Sequence, residues 1–353
     1  MPLNPLNNDE SNDQALHHDA TPTITEPIPP TQPLTLHSIF IGKDGLRAGW
    51  SLLIFVALFA VIIYCANRIG HKFYPPSPKE ADPAADMAPL RGFISELVPL
   101  LVTLLVTWIM SKIERRPNSV YGLGDSRTFS HFFAGLAWGI TCLTLLIVTL
   151  WKAGLLVFNG RLLLGSNIFK YGAIWLAGFF LVGMLEEYLT RGYLQYTLTR
   201  GLAGFYQWAF KTRHSAALGF WTSAVIFSIV FFLGHTRNPG ESPIGLLSVF
   251  LAGMVFCFSL WRTGSLWWAI GLHTSWDWGQ SFLYGVADSG LMIQHRLLAA
   301  HPVGKPILSG GTTGPEGSIF IVGILALIIL IILFTLPQSR YGRASTAFEQ
   351  PTS

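Results

Sequence analysis

The stretch Gly183-Met-Leu-Glu-Glu-Tyr-Leu-Thr-Arg191 puts two adjacent carboxylates and a guanidinium inside a run that otherwise has the composition of a membrane-spanning helix. A charge at the centre of a bilayer costs about 2.5–3.5 kcal/mol on insertion scales, so an intramembrane ionisable residue points to a functional site. Glu187 and Arg191 lie four residues apart, on one helix face, and read as an ion pair. Glu186 points about 100° away and is left without a partner on its own helix.

The rest of the chain agrees with a membrane setting. Half of its 353 residues are apolar, 12% are charged and the mean hydropathy is +0.46. A soluble domain carries about 25% charged residues, whereas apolar runs of about 18 or more residues read as transmembrane helices. A net charge of +4, scattered along the chain, leaves no footprint for nucleic acid. Cys65, Cys142 and Cys257 are far apart in apolar runs, so neither a disulfide framework nor a zinc–thiolate site is expected.

Taken in order, residues 1–36 are rich in Pro, Thr, Asn and Asp and read as a disordered tail with no cleavable signal peptide. Residues 37–169 hold three expected spans, at about Trp50–Ile69, Phe93–Ile113 and Phe132–Trp151. A core over 170–285 holds four more, at about Tyr171–Leu198, Ala216–Gly234, Ile244–Trp261 and Leu266–Tyr284. A polar, Gly-rich loop follows over 286–317, then an eighth span over 318–337 and a tail over 338–353. The expected fold is an all-α polytopic membrane bundle of about eight helices. Basic residues flanking the spans, led by the cluster around Arg115, place both termini on the cytoplasmic side.

The search for partners of Glu186 is short. His235 closes the fifth span in Phe231-Phe-Leu-Gly-His235. His273 and Asp277 share a face of the seventh in His273-Thr-Ser-Trp-Asp277. A carboxylate in poorly hydrated surroundings suits a general base. His235 can share a water with it, and His273 can donate to a developing oxyanion. Base, water and oxyanion donor in a membrane cavity describe peptide hydrolysis.

The order Glu-Glu-x-x-x-Arg, Phe-x-x-x-His, His-x-x-x-Asn/Asp on successive spans resembles the CAAX protease and bacteriocin-processing family (CPBP, or Abi), which includes the type II CAAX prenyl endopeptidases. Here it reads Glu186-Glu187-Tyr-Leu-Thr-Arg191, Phe231 to His235 and His273 to Asp277, over about residues 170–285. The Gly45-Leu-Arg-Ala-Gly-Trp50 and Thr313-Gly-Pro-Glu-Gly-Ser318 segments look like bacterial members, which implies a bacterial plasma membrane. The resemblance implies an intramembrane endopeptidase acting on peptide or membrane-protein substrates. Glu186 and His235 would activate water, His273 would stabilise the oxyanion, and Glu187–Arg191 and Phe231 would support the site. Asp277 departs from the family's Asn: an ionised Asp accepts hydrogen bonds but donates none. It is either protonated or orients His273, or the chain is a non-catalytic scaffold, immunity factor or regulator.

Other readings of the same residues remain. Glu186, His235 and His273 make a permissible zinc set, but the chain has no HExxH, and the metal-free reading is preferred with no cofactor. Gly122-Leu-Gly-Asp125 spells the GxGD of presenilin-type aspartyl proteases without the second intramembrane Asp, and reads as a turn. Trp267, Trp268, Trp276 and Trp278 read as interface belt and core packing.

Overall fold

The computed structural model describes residues 39–42, 45–73 and 86–336. The expected N-terminal tail, the C-terminal tail and most of the loop from Tyr74 lie outside them. The helices are α1 (Ala48–Phe73), α2 (Pro89–Glu114), α3 (Thr128–Lys152), α4 (Ser166–Glu187), α5 (Gln195–Phe210), α6 (Ser215–His235), α7 (Pro243–Thr263), α8 (Trp267–Trp278), α9 (Pro306–Ser309) and α10 (Phe320–Thr335). The described residues also include two antiparallel strand pairs: β1 (Ile41–Gly42) with β2 (Gly45–Leu46), and β3 (Leu156–Arg161) with β4 (Leu298–Pro302).

Among the described residues six helical runs are long and apolar enough to cross a membrane: 48–70, α2, α3, the run 166–210 through α4 and α5, α6, and α7. The protein is an integral, multi-pass membrane protein. The seventh and eighth expected spans form helices: α8 has 12 residues and continues as a π-helical segment over Gly279–Leu283, and α10 has 16. At 1.5 Å per residue α8 alone and α10 span about 18 and 24 Å, against about 30 Å of hydrocarbon. The reason for α8 is its position. Every residue from Trp268 to Asp277 is buried, so α8 is surrounded by protein and need not match the bilayer's thickness. At the end of α10, the Arg262 guanidinium donates to the carbonyls of Leu333 and Leu336, at 3.0 and 2.7 Å, and satisfies orphan acceptors there.

Glycine lets α8 reach the centre. A Cβ at Gly135 or Gly139 of α3 would collide with the Trp268 carbonyl or the Ser275 hydroxyl of α8, and one at Gly271 with the Phe132 carbonyl of α3. Small residues four apart permit this backbone approach, as at other membrane helix contacts.

The segment 286–317 differs from the loop expected for it. It contributes β4, pairs Ile293 with Met87, and receives the Trp175 indole N–H at the Gln294 carbonyl, 2.9 Å away. Thr312 and Thr313 both donate to the Gly240 carbonyl. Its glycines are used at positive φ, for example 87° at Gly310 and 102° at Gly314, where a side chain would strike the neighbouring backbone. A Gly-rich composition here serves tight folding.

Candidate active site

Glu186 and Glu187 are the last two residues of α4, and the chain continues as a π-helical segment over Tyr188–Leu194. Such wide turns are rare and recur at functional sites. Glu187 and Arg191 form the expected pair, with Nη1 2.9 Å from Oε1 and both side chains fully buried. The guanidinium lies 4.4 Å from the Phe231 ring and 5.4 Å from that of Phe256, so both aromatic faces stabilise the cation. A Cβ at Gly253 of α7 would stand 2.9 Å from Arg191 Nη2, so the glycine makes room for the head group.

His273 joins this pair to Glu186. Its Nδ1 is 3.2 Å from Glu187 Oε1 and acts as donor to that carboxylate. Its Nε2 faces Glu186 Oε2 at 3.6 Å and Asp277 Oδ2 at 3.5 Å. The ring stacks on Phe256 at 5.0 Å and meets the edge of Phe231 at 6.3 Å. Glu187 therefore holds the imidazole's orientation as well as the cation's charge. With two carboxylates opposite Nε2, the contacts are satisfied when that nitrogen carries a proton or when one acid donates to it. Asp277 approaches the same nitrogen as Glu186 and so shares its place.

His235, at the C-terminal end of α6, has Nδ1 2.9 Å from the Phe231 carbonyl, which can only accept. That bond fixes the tautomer and leaves Nε2 as an acceptor. Phe231 thus holds Arg191 with its ring and His235 with its backbone.

Glu186, His235, His273, Asp277 and Phe231 all line one cavity of about 450 Å³. Glu187 and Arg191 lie behind the wall. Trp276 is on the lining too. Of the other tryptophans, Trp268 is fully buried, and Trp267 and Trp278 donate to the Leu123 and Gly172 carbonyls. Asp125 accepts from the Arg127 amide and the His131 ring and stands in the turn before α3, as its sequence context predicts. Among the described residues no three His, Cys, Asp or Glu side chains gather so as to hold a metal ion. Of the three residues of the expected zinc alternative, His273 has its Nδ1 against Glu187 Oε1.

Sequence reasoning misses three acids on the same lining: Glu96 of α2, Asp288 and Glu316. Glu96 carried a usable signal, since it is an ionisable residue inside an apolar run. Asp288 and Glu316 come from the 286–317 segment and reach the cavity only because that segment folds inward. Ser289, at a positive φ of 44°, gives both its amide and its hydroxyl to Glu316 Oε1. Burial pushes the Asp288 carboxyl well above the usual carboxylate range, and the Glu316 charge pushes it further. Burial also raises Glu316, though the Ser289 bonds oppose the shift.

Residues 168–279, about a third of the chain, match a family model described as Rce1-like, type II CAAX prenyl endopeptidase Rce1-like. The match includes Glu186, Glu187, Arg191, Phe231, His235, His273 and Asp277 and leaves out Glu96, Asp288 and Glu316. No curated protein and no solved structure matches the chain. Over residues 168–279, then, this membrane protein is similar to the Rce1-like family of type II CAAX prenyl endopeptidases.

Proposed function

We propose that the chain is an intramembrane endopeptidase that hydrolyses peptide bonds with water activated by Glu186 and His235. The supporting observation is that Glu186, His235 and His273 line one cavity, with His235 Nε2 left as an acceptor by the bond from Nδ1 to Phe231. Glu186 accepts a proton from water as its oxygen attacks the peptide carbonyl carbon. The proton on His273 Nε2 stabilises the resulting oxyanion. The proton held at the acid–base pair then passes to the leaving nitrogen as the C–N bond breaks. Glu187 orients His273 through Nδ1 and is a positioning residue, as is Arg191 behind it.

Asp277 takes the first of its two sequence-based alternatives in this mechanism. It is protonated when substrate binds, so that it leaves the Nε2 donor to the oxyanion. The mechanism routes no step through a metal. Substrates are peptides or membrane proteins that enter from the bilayer. Both termini lie in the cytoplasm, and the membrane is a bacterial plasma membrane. Reporter fusions at each terminus test the orientation.

The decisive experiment is fragment proteomics of membranes with wild-type protein and with Glu186→Gln or His235→Ala. Both variants should insert and fold yet yield none of the wild-type fragments. Cleavage at the wild-type level in either variant refutes the mechanism. A Glu186→Gln protein that keeps its full cellular role favours the non-catalytic reading, which the approach of Asp277 to His273 Nε2 supports.

A further inference from the structure

Water reaches a peptide carbonyl carbon where that carbonyl has left its helix, because inside an α-helix each carbonyl accepts from the amide four residues on. Within a bilayer a carbonyl freed in this way is costly until a donor meets it. The wall of an intramembrane cavity must therefore offer hydrogen bonds to an unwound guest. Most side-chain donors on this wall are already engaged. Thr190 and Ser248 donate to the Glu186 and Gly245 carbonyls, Ser281 and Ser289 to Asp288 and Glu316, and the Trp175 indole to the Gln294 carbonyl. Apart from His273 and the acids, two lining donors have no acceptor among the described residues: the Asn238 amide and the Trp276 indole N–H.

Of the two, Trp276 is the one built into the wall. It is 8% exposed, and every residue of α8 from Trp268 to Asp277 is buried. Its accessible part therefore opens on the cavity that it lines. Its ring sits in the apolar core with Val255, Leu272 and Ile321, which holds the N–H in place before a guest arrives. At 100° per residue, Trp276 lies about 60° to one side of His273 around the helix axis and Asp277 about 40° to the other. All three thus face one way, with Trp276 about 4.5 Å further along the axis than His273. An indole N–H donates and never accepts, so only an acceptor can satisfy it. Asn238 stands in the turn after His235, its amide nitrogen on the His235 carbonyl, and is only half-buried, so water serves its side chain.

Resting on the peptidase reading, we infer that the Trp276 indole N–H donates to a main-chain carbonyl of an unwound peptide substrate, beside the scissile carbonyl that His273 serves. Trp276 is then a substrate-binding residue that recognises an unpaired carbonyl and no particular side chain. It favours membrane segments whose helix opens easily, since a helical segment has no carbonyl to offer it. The bond exists before and during the attack, so its loss raises KM and leaves kcat in place.

The test uses the full chain in phosphatidylcholine nanodiscs, with isotope-labelled tryptophan indoles and with Glu186→Gln to stop turnover. The probes are two membrane-spanning peptides of Leu and Ala, one with a central Gly-Gly that loosens its helix and one without. The Trp276 indole proton signal, identified by its loss in Trp276→Phe, should move downfield with the Gly-Gly peptide and stay in place with the other. Trp276→Phe should weaken binding of the Gly-Gly peptide about threefold to tenfold, the worth of one neutral hydrogen bond. Replacing the peptide's amides one at a time by esters, whose carbonyls accept more weakly, should weaken binding at one linkage, and that loss should vanish in Trp276→Phe. Should Trp276→Phe not fold, benzothienylalanine at position 276, with sulfur in place of the N–H, keeps the full ring and takes its place. A Trp276 signal unmoved while peptide binds, equal shifts with both peptides, an ester profile that is the same in both proteins, or no binding of either peptide overturns the inference. Turnover is scored separately with Glu186 intact, where Trp276→Phe should raise KM by the same factor and retain kcat; a loss confined to kcat overturns the inference. Cleavage without a Trp276 shift removes the inference and leaves the peptidase reading, and a shift without cleavage does the reverse.

Discussion

Replacing Arg191 with Met should destabilise the bundle by roughly 3–5 kcal/mol, the cost of removing one partner from a buried ion pair. The structure argues for the upper part of that range. Both side chains are fully buried at 2.9 Å, and Glu187 Oε2 already lacks a hydrogen-bond partner among the described residues. The guanidinium's contacts with Phe231 and Phe256 are desolvated, where such interactions reach about 2 kcal/mol. Methionine recovers some of this by filling space against the same rings. The loss should come mainly from the stranded carboxylate, so the double variant Glu187→Gln/Arg191→Met should be more stable than Arg191→Met alone. Equilibrium unfolding in mixed detergent–SDS micelles, followed by circular dichroism, measures both. A single-variant loss below about 1 kcal/mol, typical of an exposed pair, refutes the account of the pair. A double variant as unstable as the sum of the two singles refutes the stranded-charge explanation.

Gly253→Val should destabilise the protein and lower activity together, because its Cβ would press on Arg191 Nη2 and on Ser228 Oγ, each 2.9 Å away; melting curves and peptide turnover check this. Gly139→Leu should separate α3 from α8 and cost several kcal/mol by overpacking, read as a lowered melting temperature. Burial raises Asp288 and Glu316 above their ordinary values of 3.8 and 4.5, and the Glu316 charge raises Asp288 further. Their ionisation cost is therefore absent below those ordinary values and grows as pH rises through the raised folded ones. Wild-type stability should fall across that window, and Asp288→Asn/Glu316→Gln should flatten the fall, as thermal melts over a pH series will show. Peptide cleavage by purified protein should survive exhaustive chelation; loss of activity that zinc restores would refute the metal-free mechanism.

The core of the site was legible because membrane insertion makes charge expensive. Glu186, Glu187, Arg191, His273 and Asp277 stand out from apolar surroundings, and their four-residue spacings carry over into the contacts Glu187–Arg191 and His273–Asp277. The same logic applied to Glu96, which has no motif around it and passed unnoticed. Asp288 and Glu316 were hidden for a physical reason. In a polar segment a carboxylate is unremarkable, and only the inward fold of 286–317 makes it costly. The fold class followed from hydropathy. The short span of α8 did not, since an apolar run reads alike whether lipid or protein surrounds it. The π-helical turn after Glu187 also has no counterpart in an apolar pattern, which marks faces and not the hydrogen-bond ladder.

The cavity wall has two origins in the chain. Glu186, His235, His273 and Asp277 lie within the family-matched segment, whereas Glu96, Asp288 and Glu316 lie on either side of it. The cavity is thus assembled from separate stretches of sequence, and a substitution in the 286–317 segment can reshape its wall without touching Glu186, His235 or His273.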